Sequence, residues 1–186
     1  MKKNQGYTLI EVIIVIAIIV ILAGMSFVTL GIIKQAKATE AAETLDNQIG
    51  SLLVKTKAIS DAKKNVLCMK IMYNDSDVTY SDGTYAKDGS YSIFLGYDEN
   101  VTGVFSAEKS DIPEATLPDI IKIKYTSASG GSAITLGDGT NTDVVIEFNK
   151  SNGSVRYGAG TYEIVYNDNT VATVVLDETT GNHYIK

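Results

Sequence analysis

The chain has 186 residues, with 16 basic and 22 acidic side chains and a formal net charge of −6 at pH 7. This acidic balance argues against a broad phosphate-binding surface, because nucleic acids attract clustered lysine and arginine, so nucleic acid is not an expected partner. The single cysteine excludes an intramolecular disulfide, and the fold must therefore be stabilised by packing.

The N-terminus joins a short basic leader to a long apolar segment. Lys2 and Lys3 precede the sequence GYTLIEV at residues 6–12, and no charged residue occurs from residue 12 to residue 33. At about 1.5 Å per residue this stretch would form a helix of roughly 33 Å, close to the thickness of a bilayer core. The pattern predicts a membrane-spanning helix over residues 7–33.

Glu11 is the one acid in this segment. A carboxylate at the centre of a spanning helix costs about 2.5–3.5 kcal/mol on insertion scales, and less near the interface. One interpretation is therefore a functional role. The alternative is an uncleaved signal-anchor helix whose N-terminal dipole favours a negative charge. A cleaved secretory signal fits less well, because its apolar core would be shorter and would end at a small-residue cleavage site.

This segment, GYTLIEV, resembles the class III signal of type IV prepilins and type II secretion pseudopilins. The resemblance implies that a prepilin peptidase removes residues 1–6 by cleaving after Gly6. It also implies N-methylation of the new terminus at Tyr7, where most relatives carry Phe. In such filaments Glu11 is understood to pair with the N-terminal amine of a subunit. The implied partners are other pilin subunits, a prepilin peptidase, a platform protein and an assembly ATPase.

The resemblance also implies a location. The protein would be a single-pass cytoplasmic membrane protein before assembly, and then part of a cell-surface or envelope-spanning filament, with its C-terminal domain outside the cytoplasm. Lys2 and Lys3 agree with this orientation under the positive-inside rule, whereas Lys34 and Lys37 at the other end of the segment oppose it. Many type IV pilins have a proline in the middle of this helix. This chain has Val28 in that neighbourhood, which favours a minor subunit.

Residues 34–62 are predicted to continue the helix with an amphipathic pattern. No proline or turn cluster occurs between Tyr7 and Ser60, and apolar residues recur at helical spacing among charged ones. These apolar residues are Ala38, Ala41, Ala42, Leu45, Ile49, Leu52, Leu53 and Ile59. One face of this helix is therefore expected to pack against the rest of the protein.

Residues 63–186 change to a pattern of short strands and turns, which predicts an exported β-rich domain. Segments rich in β-branched and aromatic residues are predicted to be strands. They are Val66–Tyr73, Tyr91–Tyr97, Ile120–Tyr125, Val144–Phe148, Val155–Tyr157, Tyr162–Tyr166, Val171–Leu176 and His183–Ile185. The turns between the last of them predict an antiparallel meander. From Asp143 onward the pattern resembles the sheet of H-type minor pseudopilins.

The predicted fold class is therefore α+β. We expect a pilin fold in which a long N-terminal helix, with a transmembrane half and an amphipathic half, packs on a C-terminal antiparallel β-sheet domain.

Few other residues suggest chemistry, and the chain is not expected to be an enzyme. His183 is predicted to lie in a strand, and Cys68 to be a small buried residue rather than a nucleophile. Asp138, Asn141 and Asp143 could offer oxygen ligands to calcium, which some pseudopilins bind. Their spacing fails the helix–loop–helix calcium motif, and a turn before the next strand explains the same residues. No other cofactor is expected.

Two functions from different classes are compatible with these features. The first is a structural subunit, a minor pilin or pseudopilin, of a type IV pilus (fimbrium) or a type II secretion-like filament. The second is a membrane-anchored extracellular binding or adhesion module that uses the loops of the β-domain. A binding module would remain fully active with the Gly6–Tyr7 bond intact, whereas a filament subunit requires its cleavage.

Overall fold

A computed structural model of the protein describes residues 8–59, 66–99, 102–105, 107–108 and 111–186. The predicted leader, residues 1–6, lies outside these residues. By its internal contacts the chain divides into two compact units, Met1–Ala36 and Lys37–Lys186. Each unit is described separately below.

Helix α1 runs from Leu9 to Ala58 over 50 residues. It contains no proline, which would remove a hydrogen bond and clash with the preceding turn. The predicted helix extended from residue 7 to residue 62, and residues 7 and 60–62 lie outside the described part of the chain. Within the described residues no helix is both long enough and apolar enough to qualify as a membrane-crossing segment. The membrane span predicted for residues 7–33 is therefore not confirmed.

Short strands make up most of the second unit. In the described part of the chain they are β1 (Val66–Tyr73), β2 (Val78–Thr79), β3 (Tyr85–Ala86), β4 (Tyr91–Asp98), β5 (Ala107–Glu108), β6 (Ala115–Leu117), β7 (Lys122–Ser127), β8 (Ile134–Thr135), β9 (Asp143–Phe148), β10 (Val155–Tyr157), β11 (Gly160–Tyr166), β12 (Asn169–Leu176) and β13 (His183–Ile185). The predicted strands correspond to β1, β4, β7 and β9–β13. The others, each of two or three residues, were not predicted.

The described strands pair antiparallel into two larger sheets and one small one. The first sheet has the order β10-β9-β1-β4-β5, with β6 also paired to β4, and the second has the order β13-β12-β11-β7-β8. Strands β2 and β3 pair separately. The predicted α+β class, a helix packed on an antiparallel β-domain, is confirmed. The C-terminal meander is confined to β11–β13, because β9 pairs with β1 and takes β10 into the first sheet.

The core of the second unit contains the predicted apolar face of α1. Side chains of this face are at most 2% exposed at Ala38, Ala41, Ala42, Leu45, Ile49 and Leu52. They join one apolar cluster with residues of both larger sheets, including Ile71 of β1, Ile146 of β9 and Ile164 of β11. Leu53 and Ile59 are partly buried against the same cluster. Burying each large aliphatic side chain stabilises the fold by roughly 1.5–3 kcal/mol, so this face anchors the helix to the sheets.

Tyr91 connects the two larger sheets through its hydroxyl group. The residue lies in β4, and its hydroxyl accepts a hydrogen bond from the Ile123 N–H of β7 at 3.1 Å and donates to the Leu136 carbonyl at 3.3 Å. Burial raises the pKa of Tyr91 to about 12. The hydroxyl therefore stays neutral and satisfies a buried amide and a buried carbonyl.

Candidate functional site

The described part of the predicted processing segment begins at Thr8, and Gly6 and Tyr7 lie outside the described residues. Thr8 occupies the N-cap of α1, since its carbonyl accepts the first helical hydrogen bond, from the Val12 N–H at 3.3 Å. Its own N–H and hydroxyl both donate to Glu11 Oε2 at 2.8 Å. The Glu11 N–H donates in return to Thr8 Oγ1 at 3.3 Å. This reciprocal arrangement is a capping box.

The capping box gives Glu11 a role within its own helix. Helix N-termini leave N–H groups without intrahelical partners, and here the Thr8 and Glu11 side chains satisfy two of them. The positive end of the helix dipole also favours a carboxylate at this position. Thr8 was not predicted as a site residue. The signal was nevertheless present, because Thr8-Leu9-Ile10-Glu11 before an apolar run has capping-box spacing.

Exposed aliphatic side chains follow the cap in the first unit. Leu9 is 80% exposed and Ile10 is 66% exposed, and most of the large apolar residues from there to Leu22 are more than half exposed. Ile32 and Ile33 are also exposed. An apolar surface of this extent marks a region that contacts lipid or protein rather than water.

Asp138 lies in a turn held by backbone amides. Its Oδ1 atom accepts hydrogen bonds from the N–H groups of Asn141 and Thr140, both at 2.9 Å. These bonds, Asn141 first, hold the pKa of Asp138 below its ordinary value. Asp143 begins β9 two residues beyond Asn141. Across the described residues, no group of three His, Cys, Asp or Glu side chains is placed to hold a metal ion. A calcium site at Asp138, Asn141 and Asp143 stays a prediction.

Cys68 and His183 occupy the positions predicted for them. Cys68 is buried in β1, where burial, with smaller contributions from Glu147 and Asp98, raises its pKa to about 12. The reactive thiolate is therefore strongly disfavoured. His183 lies in β13, and its Nδ1 atom is 2.7 Å from Oδ1 of Asp46 on α1. A Cβ atom at Gly50 would stand 3.1 Å from the imidazole ring, so this glycine leaves room for the contact.

Comparison with known proteins identifies the N-terminal segment. Residues 1–27 match the family model for the prokaryotic N-terminal methylation motif. The match includes Gly6, Tyr7, Thr8 and Glu11, and it ends before the β-rich part of the chain. No curated protein and no solved structure matches the chain.

Proposed function

We propose that this chain, which carries the N-terminal signal of a type IV pilin- or pseudopilin-like precursor, is a structural subunit of a type IV pilus or type II secretion-like filament. A prepilin peptidase cleaves after Gly6, Tyr7 is N-methylated, and the subunit assembles with other pilin subunits through the apolar part of α1. The match of residues 1–27 to the methylation motif carries this proposal.

The exposed aliphatic residues of α1 support assembly through this helix. From Leu9 to Leu22 they present an apolar surface that water would not favour. In the proposed cycle lipid covers this surface in the cytoplasmic membrane, and neighbouring subunits cover it in the filament. Assembly then replaces the lipid around this surface with the apolar surfaces of neighbouring subunits.

The capping box supports a role for Glu11 near the processed terminus. Tyr7 directly precedes Thr8, so covalent geometry keeps the amine created by cleavage within about 7 Å of Glu11 Oε2. At that distance two opposite unit charges attract by roughly 0.6 kcal/mol in water, and by several times more where the dielectric constant is lower. We infer that the Glu11 carboxylate can pair with the N-terminal amine of its own subunit or with that of a neighbouring subunit in the proposed filament.

The finer assignment to a minor pilin or pseudopilin rests on two sequence features. The helix lacks the central proline found in many type IV pilins, and the pattern after Asp143 resembles the H-type minor pseudopilins. The proposed assembly partners are a platform protein and an assembly ATPase. Antibody labelling of sheared filaments tests the minor assignment, which predicts sparse rather than continuous labelling along each filament.

Mass spectrometry of the membrane-extracted protein tests the proposal directly. The expected mature chain begins at Tyr7 and carries one additional methyl group on its α-amine. A Gly6→Val variant is the matched control, because a larger residue before the cleaved bond should leave the leader attached and the α-amine at Tyr7 unformed. A wild-type chain that still begins at Met1 would contradict the proposal and favour the anchored binding module.

A further inference from the structure

Two fully buried carboxyl groups meet on the outer face of the first sheet. Cys68 of β1 pairs with Gly96 of β4 on one side and with Glu147 of β9 on the other. Asp98 follows Gly96 by two residues and therefore projects from the same face. Both Asp98 and Glu147 are 0% exposed, and the small Cys68 and side-chain-free Gly96 leave space between them. The Asp98 side chain lies within hydrogen-bonding reach of the Glu147 carboxyl group.

The hydrogen bonds at this pair lack one donor. Glu147 Oε1 accepts a hydrogen bond from Arg156 Nη1 at 2.7 Å, but no N–H or O–H group of the described residues reaches Glu147 Oε2. Asp98 Oδ2 accepts two hydrogen bonds, from the Thr102 and Gly103 N–H groups, both at 2.6 Å. Two ionised carboxylates facing each other would provide acceptors alone. A proton on one of them supplies the missing donor.

The charges around the pair also favour one bound proton. Arg156 of β10 contacts Glu147, and Asp98 of β4 contributes a second acid. Cys68 and Lys70 face the site from β1, and β5 places Glu108 opposite Gly96 in the strand register. The Lys70 Nζ atom stands 4.5 Å from the centroid of the Phe105 ring. Lys70 and Glu108 carry one charge of each sign, so with Asp98 ionised and Glu147 neutral the charge of Arg156 is balanced by a single carboxylate. Uncompensated buried charge is costly, so this state is favoured.

We propose that Glu147 is protonated in the folded protein and donates its proton from Oε2 to Asp98, forming a proton-binding site that secures Thr102 and Gly103 on the first sheet. Asp98 is assigned the charge because two short N–H bonds stabilise its ionised form. Burial raises the pKa of Glu147 above its ordinary value, Arg156 opposes this shift, and Asp98 adds to it.

The site makes the fold sensitive to rising pH. Because the pKa of Glu147 is raised on folding, its proton stabilises the folded state fully below the unfolded pKa, and this contribution is lost as pH rises through the folded pKa. Within that window one proton changes the unfolding equilibrium constant by about tenfold per pH unit. Above it, a second carboxylate remains buried beside Asp98. The backbone most directly affected is at Gly103, where a Cβ atom would lie 2.7 Å from the Tyr157 ring.

Glu147→Gln in the full-length, detergent-solubilised chain tests the site, because glutamine can accept from Arg156 and donate to Asp98 without titrating. Urea unfolding is measured from about pH 4.5 to about pH 8. The wild type should lose stability with rising pH at this site, and Glu147→Gln should be flatter by the equivalent of one proton. Glu178→Gln, at an exposed carboxyl group, is the matched control and should keep the wild-type slope.

Infrared spectroscopy provides a second measurement that does not depend on the variant folding. At about pH 5.5, above the ordinary pKa range of exposed carboxyl groups, the wild type should show the C=O stretch of a protonated carboxylic acid, and its absence would overturn the proposal. Equal pH slopes for wild type and Glu147→Gln would also overturn it. So would stabilisation of the wild type, but not of Glu147→Gln, by calcium at about pH 5.5, since a cation would then occupy the place assigned to the proton where the proton is proposed to be bound.

Discussion

The two roles assigned to Glu11 require different chemical properties of its side chain. The capping box needs an oxygen atom that accepts a hydrogen bond from Thr8, whereas the proposed pairing with a subunit amine needs a negative charge. Glutamine at the same helix position also forms a capping box, but it has no charge. Substitution at this residue can therefore separate the contribution to the helix from the contribution to assembly.

Glu11→Gln is expected to retain cleavage after Gly6 and to reduce incorporation into sheared filaments as strongly as Glu11→Ala does. The reason is that both variants lose the charge, while only the alanine variant loses the cap. Thr8→Ala reverses the comparison: it weakens the cap by about 1 kcal/mol but keeps the charge, and it should assemble normally. Immunoblots of sheared filaments, with mass spectrometry of the N-terminus, measure both effects. Normal assembly of Glu11→Gln would show that amine pairing is not required.

At the residue scale, the features that depend on nearby residues were predictable from the sequence, whereas contacts between distant residues were not. The apolar neighbours of Cys68 predicted its burial, and the pattern around His183 predicted a strand, since both signals lie within a few residues. The approach of Asp98 to Glu147 could not be predicted in this way. It depends on the register of three strands, which no short stretch of sequence specifies.

At the element scale, α1 was the easiest feature to predict and the shortest strands were the hardest. The buried face of α1 repeats at helical spacing over several turns, and the strands of five or more residues were each predicted in part or in full. Strands such as β5 and β8 have two residues each, too few to show a period. They exist because a neighbouring strand offers free hydrogen-bonding groups, so their assignment requires the tertiary structure.

Leu45→Ala tests the contribution of the buried face of α1. Leu45 is fully buried in the core cluster, and removing its side-chain carbons should lower the free energy of unfolding by roughly 2–5 kcal/mol. Val54→Ala is the matched control on the same helix, because Val54 is 68% exposed and should change the stability by less than about 0.5 kcal/mol. Urea unfolding monitored by circular dichroism measures both. Equal losses would contradict the assigned faces of the helix.

At the scale of the whole molecule, the sequence predicted the fold class but not how the strands divide between sheets. An alternating pattern shows that a strand has one buried face, yet it does not select a partner strand. Strand β9 follows the second-sheet strand β8 in sequence and nevertheless pairs with β1 over Cys68–Met72. The predicted C-terminal meander is therefore correct for the pairing of β9 with β10 and for β11–β13, and it is wrong for β10 and β11, which lie in different sheets.

Carboxyl groups in turns should make the whole fold sensitive to acid. Asp77, Asp82, Asp138 and Asp177 all accept hydrogen bonds within turns or loops, and these bonds lower the pKa of each group. A lowered folded pKa gives stability that is present above the unfolded pKa and lost as pH falls through the folded value. The melting temperature should therefore fall at pH below about 4.

Asp177→Asn isolates one of these groups. Its carboxylate accepts bonds from the Thr180 hydroxyl and N–H and from the Thr179 N–H. Asparagine keeps an acceptor but cannot titrate, so the variant should lose less stability between about pH 5 and about pH 2 than the wild type does. Glu178→Gln serves as the neighbouring control. A wild-type acid slope in Asp177→Asn would show that this turn does not contribute to acid denaturation.

The contact between Asp46 and His183 joins positions 137 residues apart. During synthesis the ribosome releases α1 well before β13, so this contact forms only after the intervening residues have emerged. Contacts so distant in sequence slow folding, because the chain has to close a long loop before gaining them. Before the strands of the two larger sheets emerge, the apolar face of α1 lacks its packing partners. We expect a chaperone that binds nascent chains to bind this face during that time.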